Sequence, residues 1–288
     1  MWQSSGSWSL VESLSQVTGR DIGQLLTTAD TDELKMTSNA QLATFTLSLV
    51  ILDAARGTLG GGTGAMAVAG HRLGEYTALV AAGVLEPRTA AQLVAERGTA
   101  MEAAAAANPG TMAAVLGLGP DGVDEACAGV DDAWLANDNA PGQVVIAGTG
   151  PGVDQASANA KALGAKRVLP LAVSGAFHTP LMAPAQDRLD AALAAAEFAD
   201  AAIACIANVD AGCHREAGGW PQLLSAQLCS PVRWRESLLR LGHLGATTFV
   251  ELGPGTELCG MVKRTVEGAA RVNVAVPDDL TKLAAAAG

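Results

Sequence analysis

The chain has 288 residues, 49% of them hydrophobic, and a formal net charge of −11. That length suits one large domain carrying an inserted subdomain, or two domains, and the acidity argues against a nucleic-acid partner. No window approaches the ~18 uninterrupted apolar residues of a membrane span; the longest apolar stretch, Leu47 to Ala55, already carries Ser48 and Asp53. The opening MWQSSGSWSLVES has neither a basic region nor an apolar run, so no secretory signal is expected and the cytoplasm is the expected location. Five cysteines (Cys127, Cys205, Cys213, Cys229, Cys259) are scattered without CxxC spacing. Reduced thiols are expected, not a disulfide framework or a zinc site.

Residues 1–107 read as mostly helical. Leu42, Phe45, Leu49 and Leu52 recur near helical spacing and predict a helix over Asn39 to Arg56. Met66 to Gly70 is a short apolar run ending in glycine, followed at once by a helical pattern from Leu73 to Ala82, which is a strand-turn-helix unit. A further helix is expected over Ala90 to Ala106.

Residues 110–174 change rhythm. TMAAVLGL (111–118) predicts a strand, 121–130 a helix, DAWLAND (132–138) a strand, and GQVVIAG (142–148) another, across the Ala140-Pro141-Gly142 turn. A helix over 152–165 and a strand over 167–173 complete a βαββαβ order, the pattern of a ferredoxin-like subdomain. From 175 the first style returns. A helix is expected at 183–196, a strand at 202–208, helices near 220–229 and 232–242, and a strand at 247–252. The loop Gly253-Pro254-Gly255 then leads into a last helix. The expected fold is α/β: a large α/β-hydrolase-like part with a parallel sheet, residues 1–107 and 175–288, around a ferredoxin-like insert at 110–174.

Gly70-His71-Arg72-Leu73-Gly74 occupies the strand-to-helix turn where a G-x-S-x-G nucleophile elbow would sit. Its central residue is arginine, which stays protonated, offers no lone pair and cannot be acylated. As a pentapeptide alone, the segment is equally an ordinary glycine-bounded turn.

The longer string GHRLGEYTALVAAGVL (70–85) resembles the GHSLGEY segments of the malonyl-CoA:acyl-carrier-protein transacylases at all but one decisive position. TSNAQLAT (37–44), VAERGTAMEAA (94–104), NAPGQVVIAG (139–148), SGAFHTPLMAPA (174–185), QLCSPVRW (227–234) and VELGPGTELCGMVKR (250–264) also resemble that family, in family order, from about residue 10 to 280. The resemblance implies that Arg72 stands at the nucleophile position and that His178 is the general base. It also implies that the Leu73 N–H is one oxyanion donor. Arg97 would pair with the malonyl carboxylate, with Gln41, His71 and Phe177 completing the substrate pocket. The Phe177-His178 pair resembles the malonyl-selecting form, since a bulky ring leaves little room for an α-methyl branch. The Gly253-Pro254-Gly255 loop resembles the one whose backbone orients the histidine ring. Arg72, Arg97, Gln41 and His178 are therefore expected in one cleft between the two parts.

The resemblance further implies malonyl-CoA as substrate, no bound cofactor or metal, an acyl carrier protein as partner, no membrane or nucleic-acid partner, and a monomer. Lys161, Lys166, Arg167, Arg233, Arg235, Lys263 and Arg264 are the candidate basic patch for that acidic partner. Two departures bear on activity: Arg72 replaces the serine, and the family's opening strand with its GQGSQ loop is absent from this sequence. Losing one oxyanion donor typically costs ~10²–10³ in rate, and losing the nucleophile leaves at best ~10³–10⁴ over water. Three readings stand: a malonyltransferase of fatty-acid or polyketide synthesis, inactive as written; a non-catalytic module binding acyl-CoA or carrier protein; and an enzyme using another nucleophile, such as Ser174.

Overall fold

The computed structural model describes residues 1–62 and 64–287. Two short 3-10 turns, Trp2–Ser4 and Gly6–Trp8, lead into α1 (Ser9–Thr18), α2 (Ile22–Thr27), α3 (Thr31–Lys35) and the long α4 (Thr37–Thr58). Asp21 and Asp30 start α2 and α3 by accepting from backbone N–H groups of the first turn. All four periodic residues of α4 are buried, and so are Val50 and Ile51, so this helix is enclosed on more than one face. β1 (Ala67–Ala69), α5 (Gly74–Ala81) and α6 (Pro87–Ala107) follow. Pro87 supplies the preset φ of a first helical residue. Gly98 lets α6 lie against α4, since a Cβ there would stand 2.8 Å from Ser38 Cα.

The middle of the chain contributes β2 (Thr111–Leu116), α7 (Pro120–Cys127), β3 (Ala133–Ala140), β4 (Gln143–Gly148), α8 (Gly150–Ala162) and β5 (Arg167–Pro170). These strands form one antiparallel sheet in the order β3-β4-β2-β5, the interlocked arrangement of a ferredoxin-like βαββαβ unit. Val115, Val123, Val144, Ile146 and Val153 close a core of its own under α7 and α8.

The remainder supplies α9 (Ala183–Ala195), β6 (Ala204–Ile206), β7 (Cys213–His214), α10 (Trp220–Gln227), α11 (Trp234–His243), β8 (Thr248–Leu252), α12 (Glu257–Thr265), β9 (Ala270–Val274) and α13 (Leu280–Ala287). The expected parallel pairing is present, but it is divided between two sheets. β1 pairs parallel with β6, which carries antiparallel β7, and β8 pairs parallel with β9. The two sheets share both cores. Val68 and Leu252 pack against the main cluster, whereas Ala69 and Phe249 pack against a smaller one built on Val232, Trp234 and Met261. Three elements escape the sequence pattern: β7, because two residues carry no period; β9, whose Arg271 is exposed; and α13.

β3 joins the insert to the rest. Two bulges, at Leu135/Asn137 and Asp138/Ala140, turn its end toward the large part. There the Asp138 N–H donates to Val232 O and the Val232 N–H to Ala136 O, each at 2.9 Å. The Asp138 carboxylate accepts from Arg235 of α11, with Nη2 at 2.8 Å.

Candidate functional site

The turn between β1 and α5 is tight. A Cβ on Gly70 would lie 1.9 Å from Gly74 O, so only glycine fits. Arg72 has φ 56°, the left-handed region that an elbow forces on its central residue. Asn208, two residues after β6, fixes this strained turn. Its Oδ1 accepts the Arg72 N–H at 2.7 Å, and its Nδ2 donates to Gly70 O at 2.7 Å. Among the described residues the Leu73 N–H, at the start of α5, has no bonding partner, so it is free to donate.

His178 lies beyond β5, also at positive φ (63°) and fully enclosed. The Arg72 Nε–H donates to its Nε2 at 2.9 Å, which makes Nε2 the acceptor and puts the ring proton on Nδ1. Nδ1–H then donates to Gln227 O at 2.7 Å. That carbonyl ends α10 and is one of the helix's terminal acceptors without an intrahelical partner. Burial, then the Arg72 and Arg97 charges, hold the imidazole well below the ordinary histidine range, so it is neutral. His71 is pushed down to about 4, by burial first and Arg72 second, while its Nε2 meets Asn139 Oδ1 at 2.8 Å from the bulged end of β3.

Arg97 of α6 is 2% exposed. Its Nη1 donates to Gln41 Oε1 of α4 and its Nη2 to Gln227 Oε1 at 2.8 Å, leaving its buried Nε without a partner. Among the described residues no carboxylate bonds to it, so this buried cation has room in its hydrogen-bond inventory for an anion. The Arg72 guanidinium stacks 6.0 Å from the Phe177 ring centroid. Burial, and then Arg97, lower its pKa to about 10, which still leaves it charged near neutral pH.

The structure thus brings Arg72, Leu73, His178, Arg97, Gln41, Phe177 and His71 to one place at the junction with the insert. Three expectations need correction. The carbonyl that orients His178 belongs to Gln227, not to the Gly253–Gly255 loop, whose bonds run to Val274 and Asn273. The Ser174 hydroxyl meets Thr37 at 2.8 Å, and both nitrogens of His178 are engaged elsewhere. Arg235 and Arg233 are committed to Asp138 and Glu236, so they are not free surface cations, whereas Lys161, Lys166, Arg167, Lys263 and Arg264 are exposed. Gln227, Asn208, Asn139 and Glu75 are site residues that residue-type reasoning passes over, the first three because amides carry no charge pattern. Gln227, Asn139 and Glu75 do lie inside the quoted segments QLCSPVRW, NAPGQVVIAG and GHRLGEY.

Burial pushes the thiols of Cys127 and Cys229 to about 11 and that of Cys259 to about 12, so none is a thiolate nucleophile at neutral pH. Among the described residues no group of side chains could hold a metal ion, and no helix is long and apolar enough to cross a membrane.

With this geometry, residues 7–278 match the acyl transferase domain model. The malonyl CoA-acyl carrier protein transacylase of Bacillus subtilis is 41% identical over 263 residues, covering 90% of this chain and 82% of that protein. The chain belongs to the malonyl-CoA:acyl-carrier-protein transacylase family. The Escherichia coli K12 transacylase is 38% identical over 256 residues, covering 88% of this chain and 82% of its own length. Among solved structures, the acyl carrier protein S-malonyltransferase of Vibrio cholerae superposes with TM-score 0.91 at 36% identity, covering 96% of this chain and 91% of that one. A malonyl-transacylase solved with its type II polyketide-synthase holo acyl carrier protein gives TM-score 0.92 at 35% identity, with 97% and 91% covered. This transacylase-family chain therefore has an α/β fold with a ferredoxin-like insert.

Proposed function

We propose that this chain binds the malonyl group of malonyl-CoA, and of a malonylated carrier protein, at the Arg97–His178 site, and that Arg72 stops the group from being transferred. The chemistry it would otherwise perform is S-malonyl transfer from CoA to a carrier-protein thiol, in fatty-acid or polyketide synthesis. In that reaction His178 Nε2 would take a proton from a serine at position 72, and Leu73 N–H would stabilise the tetrahedral oxyanion. The observation that carries the proposal is the Arg72 Nε–His178 Nε2 bond: the lone pair of the base accepts from a group that cannot be deprotonated at neutral pH or acylated. Binding rests on Arg97, a buried cation with neutral partners and an unpartnered Nε. The Phe177 ring, 6% exposed, would favour an unbranched malonyl group. We read residues 1–107 with 175–288 as one unit and 110–174 as the other, supported by the core that the insert closes for itself, while Met112, Ala136, Val145 and Ala147 join the main core. The exposed Lys161, Lys166, Arg167, Lys263 and Arg264 are the proposed landing points for an acidic carrier protein.

Calorimetric titration tests the binding half of this proposal. Malonyl-CoA is expected to bind and Arg97→Ala to weaken it by ~10–100-fold, the loss of a charged pair. Association with a holo carrier protein is expected to weaken with added salt. Equal affinity for malonyl-CoA and CoA would refute a malonyl site.

A further inference from the structure

Glu75 is 1% exposed on α5, and its two hydrogen-bond partners are both uncharged. Oε1 accepts from the Asn208 N–H at 2.8 Å, and Oε2 accepts from Gln227 Nε2. Burying a carboxylate against two neutral donors is costly, and burial alone outweighs those bonds and Arg97 enough to lift its pKa to about 7. Nothing in the packing requires a charge here, since an isosteric amide would fill the same space.

The bonds one step further out explain why a carboxylate stands there. Gln227 donates its second amide hydrogen to Arg72 O at 3.0 Å, accepts from Arg97 Nη2 through Oε1, and accepts from His178 through its backbone carbonyl. Asn208 grips both sides of the elbow, at Gly70 O and Arg72 N. Glu75 therefore touches the two amides that between them hold the elbow, the base and the anion-binding arginine.

We propose that Glu75 is the positioning residue of this site: as a group that accepts at both oxygens it makes Gln227 turn its amide nitrogen inward and its carbonyl toward Arg97, while keeping the Gln227 backbone carbonyl under His178. The polarity chain has one solution. Two donors face position 75, so the group there must accept twice. A glutamine at 75 that accepts from Asn208 must present its own NH₂ to Gln227. Gln227 then turns its oxygen inward and sets an NH₂ against Arg97, donor against donor. The other rotamer sets an NH₂ against the Asn208 N–H. Either way one half of the site loses its orientation.

This inference rests on the malonyl-site reading for what Arg97 binds, but its test does not. Histidine ¹⁵N spectra of the full chain report the His178 tautomer, and calorimetry with malonyl-CoA reports Arg97. In the parent, His178 is expected as a single Nδ1–H tautomer. Glu75→Gln is expected to leave the melting temperature unchanged or raised, because a buried charge is gone. It should nevertheless mix the His178 tautomers or weaken malonyl-CoA by ~10-fold or more, the loss of a charge-assisted bond. The reciprocal pair Glu75→Gln with Gln227→Glu restores an acceptor to both Arg97 and residue 75. It is expected to recover the parent tautomer, which is its only readout, because the new carboxylate itself pairs with Arg97 and competes with malonyl. Should Glu75→Gln not fold, the reciprocal pair and Glu75→Asp, which keeps the charge, are compared by the tautomer. A parent-like tautomer and affinity in Glu75→Gln, or a reciprocal pair whose tautomers are as mixed as those of the single variant, overturns the proposal. A parent chain with the single tautomer but no affinity for malonyl-CoA defeats the malonyl reading and leaves the role of Glu75 to the spectra.

Discussion

The insert and the large part use the same raw material, short apolar strands, and finish them differently. In the insert, β2 and β4 are central, paired on both edges and buried almost end to end, with a closed core beneath. In the large part, β1 and β8 each pair on one edge only among the described residues. Every residue of β1 is partly exposed, and Val250 of β8 is 42% exposed. Parallel strands are ordinarily buried on both faces and paired on both edges. The insert therefore encloses its two central strands within one sheet, whereas in the large part β1 and β8 are edge strands of two small sheets over shared cores.

The largest effect that sharpens this contrast concerns the elbow that follows β1. Arg72→Ser is expected to free the His178 lone pair and to raise malonyl transfer by ~10²-fold or more over the parent, the scale on which a positioned general base acts. Steady-state malonyl transfer to a holo carrier protein measures this, and a serine variant no faster than the parent would show that Arg72 is not what stops transfer.

A smaller effect tests how firmly the insert is tied to the large part. Asp138 is nearly enclosed, and the side chain of Arg235 is 24% exposed. Arg235→Ala strands that carboxylate at the bulged end of β3 and is expected to destabilise the chain by about 2–4 kcal/mol in urea unfolding. A loss under ~0.5 kcal/mol, the range of ordinary surface changes, would mean that the backbone bonds at Val232, the His71–Asn139 bond and the shared packing hold the two regions without this ion pair.

The smallest effect is a slope. Glu75 titrates at about 7 when folded, against an ordinary value of 4.5, so the folded state holds this proton more tightly than the unfolded chain. Its contribution to stability is full below the ordinary value and is lost as pH rises through about 7. Between the two values the slope is ~1.4 kcal/mol per pH unit. Arg97 from α6 opposes this shift, while Tyr76 on α5 and Cys205 on β6 are pushed up by burial first, with the Glu75 charge adding to both. Unfolding midpoints between pH 5 and 8 for the parent and Glu75→Gln read it, and parallel curves would place the titration elsewhere.

The insert was legible because its period-2 strands and glycine turns are local signals. Even there, β5 stops at Pro170, three residues before the apolar run ends. β1 was legible as an element, but its place at a sheet edge was not, since pairing is long-range and leaves no mark on a three-residue strand. At the site, charged and aromatic residues within quotable segments identified Arg72, His178 and Arg97. The amides that orient them were not legible in the same way: Gln227 and Asn208 act through backbone carbonyls and amide polarity, which residue type alone does not encode. Glu75 lies in the first turn of α5 with no reading of its own in the sequence, and its burial and bonds are what mark it.

The central claim is that malonyl is bound and not transferred, because a guanidinium occupies the lone pair of His178. Intact-protein mass spectrometry after incubation with excess malonyl-CoA tests it most directly, with Arg72→Ser alongside. The parent chain is predicted to keep its unmodified mass at every time point, even under conditions where calorimetry shows malonyl-CoA bound. A stable gain of one malonyl group by the parent would contradict the claim, since some nucleophile in this site would then be turning over despite Arg72.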